Sequence, residues 1–115
     1  MKTNTRRVYE LASVPDTTNV LVDRLWPRGV SKEKLGDVKW LKDAAPSHGL
    51  RKWFHQSKEK RWEEFNRRFL AELRSRRASL KEQLKPFGRK VTLLTGVKDV
   101  ERSHIPALEG FLKRF

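Results

Sequence analysis

The stretch Val20-Leu21-Val22-Asp23-Arg24-Leu25-Trp26-Pro27-Arg28-Gly29 (VLVDRLWPRG) begins like a buried strand and ends in charged and aromatic residues. Its apolar start is typical of a strand covered on both faces, and we predict a strand over residues 19–25. Pro27 ends this strand, and Gly29 permits a backbone conformation that strains other residues. The polar half of the stretch therefore either forms a site or fixes a difficult turn.

Further strands and helices are predicted on both sides of this stretch. Extended segments are expected at residues 6–10, 37–41 and 90–95, and the turn-rich segment 13–19 bends at Pro15 and Asp16. The clearest helix follows Ser57, because apolar residues recur there at steps of three and four from Trp62 to Leu73. Two further helices are predicted before it, a short one capped by Ser31 and one capped by Ser47 that carries Leu50, Trp53 and Phe54. Two more are predicted after it. One covers 79–84 and is stopped by Pro86 and Gly88, and the last is capped by Ser103 and has Pro106 in its first turn.

The alternation of strands and helices indicates an α/β fold. We expect a small three-layer sandwich with a mainly parallel sheet, flanked by helices on both faces. The length of 115 residues suits a single domain over residues 1–115.

Composition and motifs exclude several classes of function. The chain has no cysteine, so disulfides, thiolate catalysis and cysteine-ligated metal sites are ruled out. No histidine pair has metal-ligand spacing, and no GxSxG, GxGxxG or Walker-type loop is present, so we expect no metal and no cofactor. We see no signal peptide and no apolar run long enough to span a membrane, so we expect a cytoplasmic protein without a membrane partner.

The carboxyl ends of the predicted strands deliver the residues that form our candidate ligand site. Ligands of open parallel sheets bind at these ends, and arginines there can hold a carboxylate or phosphate through charge-assisted hydrogen bonds. Trp26 could stack on a planar ligand or on a guanidinium. The predicted ligand-binding residues are Arg24, Trp26, Arg28, Lys42, Asp43 and Lys98. The alternative is structural, with the Asp–Arg pair bracing a turn and Trp26–Pro27 packing as an apolar plug.

Three residues near the same edge are candidates for proton transfer. Asp23 could orient an arginine or act as a general base, and Asp99 follows the 90–95 strand. His104 lies five residues after Asp99 and is the best-placed histidine for proton transfer, although a histidine at a helix start or on the surface is the alternative. The sequence leaves open whether the protein is an enzyme.

Basic residues outnumber acidic ones, with 27 Lys and Arg against 14 Asp and Glu, and the net charge is +13. Such a balance favours contact with nucleic acid or other anions. The excess is greatest over residues 51–90, and a nucleic-acid-binding module would use the basic helical region 58–90, where the sharpest cluster comprises Arg74, Arg76, Arg77 and Lys81. A solvated face with local ion pairs is the alternative interpretation.

Motifs along nearly the whole chain resemble the YeaO-like family of uncharacterised bacterial proteins. They are VLVDRLWPRGVSKE, WLKDAAPS, LRKWF, W-x-x-F-x-x-R-F-x-x-E-L and VTLLTGVKD, and they occur in this order. The resemblance implies a compact α/β protein and no established activity. The positions that match are Asp23, Arg24, Trp26, Pro27, Arg28, Gly29, Trp40, Lys42, Asp43, Pro46, Arg51, Trp53, Phe54, Lys98 and Asp99.

Three functions therefore remain open at this point. The first is a binding protein or enzyme for a small anionic ligand, and the second is a nucleic-acid-binding module. The third is an interaction protein, either a monomer or a homodimer, in which aromatic residues such as Trp40, Trp53 and Phe54 exceed what one small core can bury.

Overall fold

The computed structural model describes residues 1–10 and 16–115. The strands are β1 (Lys2–Arg7), β2 (Thr18–Leu21), β3 (Val38–Trp40) and β4 (Lys90–Thr95). The helices are α1 (Lys32–Leu35), α2 (His48–His55), α3 (Trp62–Ser75), α4 (Arg77–Leu84) and α5 (Ile105–Leu112). Short 3₁₀ turns occupy Lys42–Ala44, Lys85–Phe87 and Val100–Arg102.

The four strands form one sheet in the order β1-β4-β2-β3, and every neighbouring pair is parallel. The ladder continues one residue beyond β2, because the Val22 amide donates to the Leu94 carbonyl oxygen at 3.0 Å. All four strands therefore end at the same edge, and the ends of β4, β2 and β3 are adjacent. The α/β fold and its parallel sheet are confirmed.

The two faces of the sheet are covered unequally. On one face Val20, Val91 and Leu93 pack against apolar residues of α2, α3, α4 and α5 in the larger core cluster. Leu21 and Leu94 point to the opposite face, as expected from the alternation of side chains along a strand. There they pack with residues that include Leu35 of α1 in a smaller cluster.

The predicted caps of two helices are confirmed. The Ser31 hydroxyl accepts from the Lys34 amide at 3.1 Å, and the Ser47 hydroxyl accepts from the Leu50 amide at 3.2 Å. At the last helix the cap position belongs to His104, one residue later than predicted, while the hydroxyl of Ser103 accepts from the Ile105 amide at 3.1 Å. The shift arises because Ser103 reaches the first free amide from just outside the helix.

The predicted bounds of three elements were wrong. Strand β1 occupies Lys2–Arg7 rather than 6–10, because a polar segment can pair as an edge strand without the apolar pattern of a central one. Strand β2 ends at Leu21, and α4 begins at Arg77 rather than at 79. Of the predicted bend, Pro15 lies outside the described residues, while Asp16 has a φ of 65°. Within the described ranges, no helix is long and apolar enough to cross a membrane.

Candidate functional site

A cavity of about 480 Å³ opens at the edge where the parallel strands end. We call it the carboxyl-edge cavity. The loops after β2 and β4 form part of its wall, and further parts come from α2, from the segment 102–104 and from residues such as Tyr9, Pro46 and Phe65. The charged and histidine residues that line it are Asp23, Arg24, Arg28, Arg51, His55, Lys58, Lys98, Asp99, Arg102 and His104.

Asp23 joins the ends of β2 and β4 at the base of this cavity. Its Oδ1 accepts from the Thr95 hydroxyl at 2.7 Å, and its Oδ2 accepts from the Gly96 amide at 2.7 Å. A Cβ added to Gly96 would lie 3.3 Å from Cβ of Pro27 and 3.4 Å from Oδ2 of Asp23, so a larger residue would crowd this contact. Both carboxylate oxygens are thus already occupied by hydrogen bonds that hold the two strand ends together.

His104 is buried beside Asp23. Its Nε2 lies 2.8 Å from the Val22 carbonyl oxygen and 3.6 Å from Oδ1 of Asp23. Because a carbonyl oxygen can only accept, Nε2 carries the proton and donates to Val22. Burial lowers the pKa of His104 from its usual value, although the neighbouring carboxylate and the Val22 hydrogen bond oppose this effect. The arrangement favours a neutral imidazole that links β2 to the start of α5.

Arg24 is directed at the backbone that follows β3. Its Nη2 donates to the Ala45 carbonyl oxygen at 3.0 Å, and its Nε donates to the Pro46 carbonyl oxygen at 3.2 Å. Arg76 reaches the same loop and donates to the carbonyl oxygens of Asp43 at 2.9 Å and Ala45 at 2.8 Å. These contacts engage part of the Arg24 guanidinium in fixing a cavity wall.

Trp26 and Trp40 pack together beside the cavity. Their rings meet edge to face with centroids 5.3 Å apart, and Nζ of Lys42 lies 4.2 Å from the centre of the Trp40 ring. The indole of Trp26 donates to the Val30 carbonyl oxygen at 2.5 Å, and that of Trp40 donates to the Asp23 carbonyl oxygen at 2.8 Å. Both indole N–H groups therefore hold the loop after β2 in place.

The structure brings together seven of the nine predicted site residues. Asp23, Arg24, Trp26, Arg28, Lys98, Asp99 and His104 line the carboxyl-edge cavity. Lys42 and Asp43 do not, which corrects the predicted grouping. The 3₁₀ turn that follows β3 carries them away, so that Lys42 packs on Trp40 and Oδ2 of Asp43 accepts from Gln83 of α4 at 3.0 Å.

Sequence reasoning from strand ends missed the contribution of α2 and its neighbours. Arg51, His55, Lys58 and Arg102 also line the cavity. Of these, only Arg51 was indicated by the family motifs, since side chains that arrive from a helix depend on how that helix packs. Burial, followed by the charges of Lys58 and Arg51, lowers the pKa of His55. The same cations thus create a positive potential within the cavity.

The basic cluster predicted from the helical region is divided in the structure. Arg76 is directed inward by its hydrogen bonds, and Arg77 lies over the Phe115 ring with its Cζ 4.8 Å from the ring centre. Lys81 lines a separate groove, and Arg74 is exposed. These four residues therefore do not form one surface.

The aromatic residues considered in excess of one core have contacts within the chain. Phe54 is buried and stacks on Phe65 with centroids 4.0 Å apart. Trp53 is covered by the guanidinium groups of Arg61 and Arg68. No group of three or more histidine or carboxylate residues in the described part of the chain is arranged to hold a metal ion.

Comparisons with known proteins identify the family. The family described as the inactive DUF488-N3 subclade matches residues 2–114. An uncharacterized protein of Mycobacterium tuberculosis is 43% identical over 107 residues, which cover 92% of this chain and 89% of the relative. The uncharacterized protein YeaO of Escherichia coli is 36% identical over 115 residues, which cover 98% of each chain. No solved structure matches the chain. The chain therefore belongs to the inactive DUF488-N3 subclade, in agreement with the YeaO-like motifs of its sequence.

Proposed function

We propose that this protein binds a small ligand bearing phosphate or carboxylate groups in the carboxyl-edge cavity, without catalysing a reaction. One observation carries the proposal. Four cationic side chains line the cavity and make no hydrogen bond, ion pair or cation–π contact within the described residues, and these are Arg28, Arg51, Lys58 and Lys98. Cations that have no internal partner and share one concave surface are suited to an anion, because each can contribute a charge-assisted hydrogen bond.

The balance of charge in the cavity supports an anion over a cation. Six lysine and arginine residues and two aspartates line it within the described part of the chain. One of these aspartates, Asp23, accepts hydrogen bonds from Thr95 and Gly96, which offset its negative charge. A ligand therefore meets a net positive potential. The protein walls of the cavity have a low dielectric constant, so they focus that potential on the ligand.

The contacts of the proposed catalytic residues favour binding over catalysis. Asp23 has both oxygens engaged as acceptors, and Nε2 of His104 carries the proton that it donates to Val22, so none of these three atoms is free to take a proton from a ligand. Of the two aspartates that line the cavity among the described residues, Asp99 is exposed and is available for contact with a ligand. The description of the matched family as inactive agrees with this interpretation.

The proposal is tested by measuring anion binding to matched charge variants. Calorimetry at about 50 mM salt would compare phosphate, pyrophosphate and citrate on the wild-type protein and on Arg28→Gln/Lys98→Gln. Each hydrogen bond to a charged group contributes about 1.5–3 kcal/mol, so we expect the double variant to bind at least about tenfold more weakly. The control is Lys32→Gln/Lys34→Gln, which removes the same charge from α1, outside the cavity. Equal losses in both variants, or no binding of any anion to the wild-type protein, would contradict the proposal.

A nucleic-acid-binding role is the second candidate. The sequence suggested the helical region 58–90 as the surface for this role. The surface that we consider is instead the groove lined by Lys81, which is separate from the carboxyl-edge cavity.

A further inference from the structure

A second concave surface lies at the opposite end of the strands. It encloses about 750 Å³ between the starts of β1 and β4, the end of α4 and the last residue of the chain. We call it the amino-edge groove. Lys2 and Lys90, the first residues of β1 and β4, are register partners, and the Lys2 amide donates to the Arg89 carbonyl oxygen at 2.8 Å. The sheet itself therefore holds these three basic residues side by side.

Every charged side chain in the described lining of the amino-edge groove is basic. Five of its lining residues are cations, namely Lys2, Lys81, Lys85, Arg89 and Lys90, and no aspartate or glutamate lines it. All five are exposed. Only Lys85 has a carboxylate partner among the described residues, Glu82 at 3.9 Å, and both side chains of this pair are about three-quarters exposed. An ion pair of this kind contributes little and is easily exchanged.

The remaining part of the groove is apolar. Leu84 is buried, and Met1 and Phe115 are half-buried and pack against the main core. Gly88 has a φ of 77°, and a Cβ built on it would meet nothing within 4 Å, so the groove stays open at this turn. The Phe115 ring is already covered by Arg77, so the row of exposed cations, rather than an aromatic platform, makes the groove suited to a single strand of nucleic acid, whose phosphates the cations can contact.

The amino-edge groove is separate from the carboxyl-edge cavity. Strand β4 runs from one to the other over six residues, which corresponds to about 20 Å at about 3.3 Å per residue. None of the described residues lines both surfaces. A ligand in the cavity therefore leaves the groove free.

We infer that the amino-edge groove binds the phosphodiester backbone of single-stranded nucleic acid without reading its sequence. Charge complementarity carries the inference. The cations come from α4, from the turn after it and from the first residues of β1 and β4, so a polymer with regularly repeated charges can engage more of them than one small anion can. The inference is independent of the anion proposed for the carboxyl-edge cavity.

The test is fluorescence anisotropy with labelled oligonucleotides of 20 nucleotides, as oligo(dT), oligo(rU) and a duplex. The variant Lys81→Gln/Lys85→Gln/Arg89→Gln removes three charges from the groove. The control Lys32→Gln/Lys34→Gln/Lys39→Gln removes three from α1 and β3, which lie outside it. Circular dichroism would establish that both variants remain folded. We expect the groove variant to bind single strands at least about tenfold more weakly at about 50 mM salt, and the control to bind like the wild-type protein.

The salt dependence provides a second readout. Each phosphate contact to a single strand contributes a slope of about −0.7 to the logarithmic plot of affinity against salt, so loss of three contacts should flatten the slope by about 2. Equal weakening in the control, or no binding of single strands to the wild-type protein at about 50 mM salt, would overturn the inference.

Three further outcomes would assign the groove or the binding differently, and each would also overturn the inference. These are tighter binding of the duplex than of the single strands, binding to phosphatidylserine vesicles in preference to oligonucleotides, and loss of oligonucleotide binding in Arg28→Gln/Lys98→Gln but not in the groove variant. The last outcome would place the nucleic acid in the carboxyl-edge cavity. It would leave the proposed function of that cavity to be judged by its own anion titrations.

Discussion

Asp23 shows how one carboxylate can join the ends of two neighbouring strands in a parallel sheet. Its two oxygens accept from Thr95 and from the Gly96 amide, which lie at the end of the neighbouring strand. The side chain is only 14% exposed, so water offers little compensation if either bond is lost. Asp23, which the sequence suggested as a general base, thus uses both carboxylate oxygens to accept hydrogen bonds that join the two strand ends.

Asp23→Asn should destabilise the fold by about 1–3 kcal/mol. Asparagine carries no charge, so both hydrogen bonds lose their charge assistance, and its NH₂ group can contact the Thr95 hydroxyl only if that hydroxyl turns its own proton away. Urea unfolding measures the change in the free energy of unfolding. Asp37→Asn is the matched control, because the Asp37 side chain is 95% exposed, and it should leave stability unchanged. Equal stability of Asp23→Asn and the wild-type protein would contradict the structural role.

His104 should make stability depend on pH. Burial lowers its pKa in the folded state below the unfolded value of 6.5, so the unfolded chain binds more protons as the pH falls below about 6.5. The stabilisation is therefore complete above pH 6.5 and is lost as the pH falls towards the pKa of the folded state. The loss has a limit of about 1.4 kcal/mol per pH unit for one proton.

The measurement is urea unfolding of the wild-type protein and of His104→Gln between about pH 7.5 and pH 5.5. The free energy of unfolding should fall more steeply for the wild-type protein, because glutamine does not titrate. Parallel curves for the two proteins would show that His104 keeps an ordinary pKa.

Among the elements, the loop between β3 and α2 is fixed from two sides. Arg24 reaches it from the end of β2, and Arg76 reaches it from the junction of α3 and α4. Glu72 of α3 accepts from both the amide and the hydroxyl of Ser47, the cap of α2. This loop sets the position of α2, and α2 in turn places Arg51 and His55 at the carboxyl-edge cavity.

Arg76→Lys should weaken this loop and lower stability by about 1–3 kcal/mol. A lysine keeps the charge but lacks the planar fork, whose Nη1 donates to the carbonyl oxygens of Asp43 and Ala45 while its Nη2 donates to Glu72. Hydrogen exchange at the amides of residues 44–51 should become faster, and anion binding in the cavity should weaken because α2 is less well fixed. Arg74→Lys is the control, since Arg74 is exposed and its side chain makes no hydrogen bond, ion pair or cation–π contact within the described residues. The same exchange rates in both variants would contradict the role of Arg76.

The elements also show what the sequence could and could not predict. The caps Ser31 and Ser47 were found because a capping hydroxyl acts within three residues. The first strand was misplaced because pairing with β4 holds the polar segment Lys2–Arg7 in register, and no local pattern reports a distant partner.

For the whole molecule, the main feature is positive potential at both ends of the sheet. The strand-end rule located the carboxyl-edge cavity from sequence, because the chain direction of a parallel sheet is the same for all strands. It did not find Lys58 or Arg102, whose positions depend on helix packing, and it included Asp43, which pairs with Gln83 instead. The sequence analysis did not predict the amino-edge groove, because Lys2 and Lys81 are far apart in the chain and line one surface only in the folded protein.

His55 offers a measure of this potential. The charges of Lys58 and Arg51 contribute to the lowering of its pKa, so an anion bound between them should raise that pKa. Titration of the imidazole signals by NMR, with and without saturating pyrophosphate, measures the shift. By reciprocity, the anion should bind more tightly as the pH falls through the pKa of His55. Potassium chloride at equal ionic strength is the control for screening, and an equal shift in that salt would argue against a bound anion.

The order of the strands leaves β1 and β3 at the margins of the sheet, and this bears on how the protein behaves at high concentration. An unpaired margin is a template for aggregation, because a second chain can add its own strand there. Strand β1 carries exposed Lys2 and Arg6, and β3 has three residues with an exposed lysine at its centre. Like charge on the first margin and short length on the second both oppose such additions. The protein's unusual basicity thus also acts as protection against self-templated fibres.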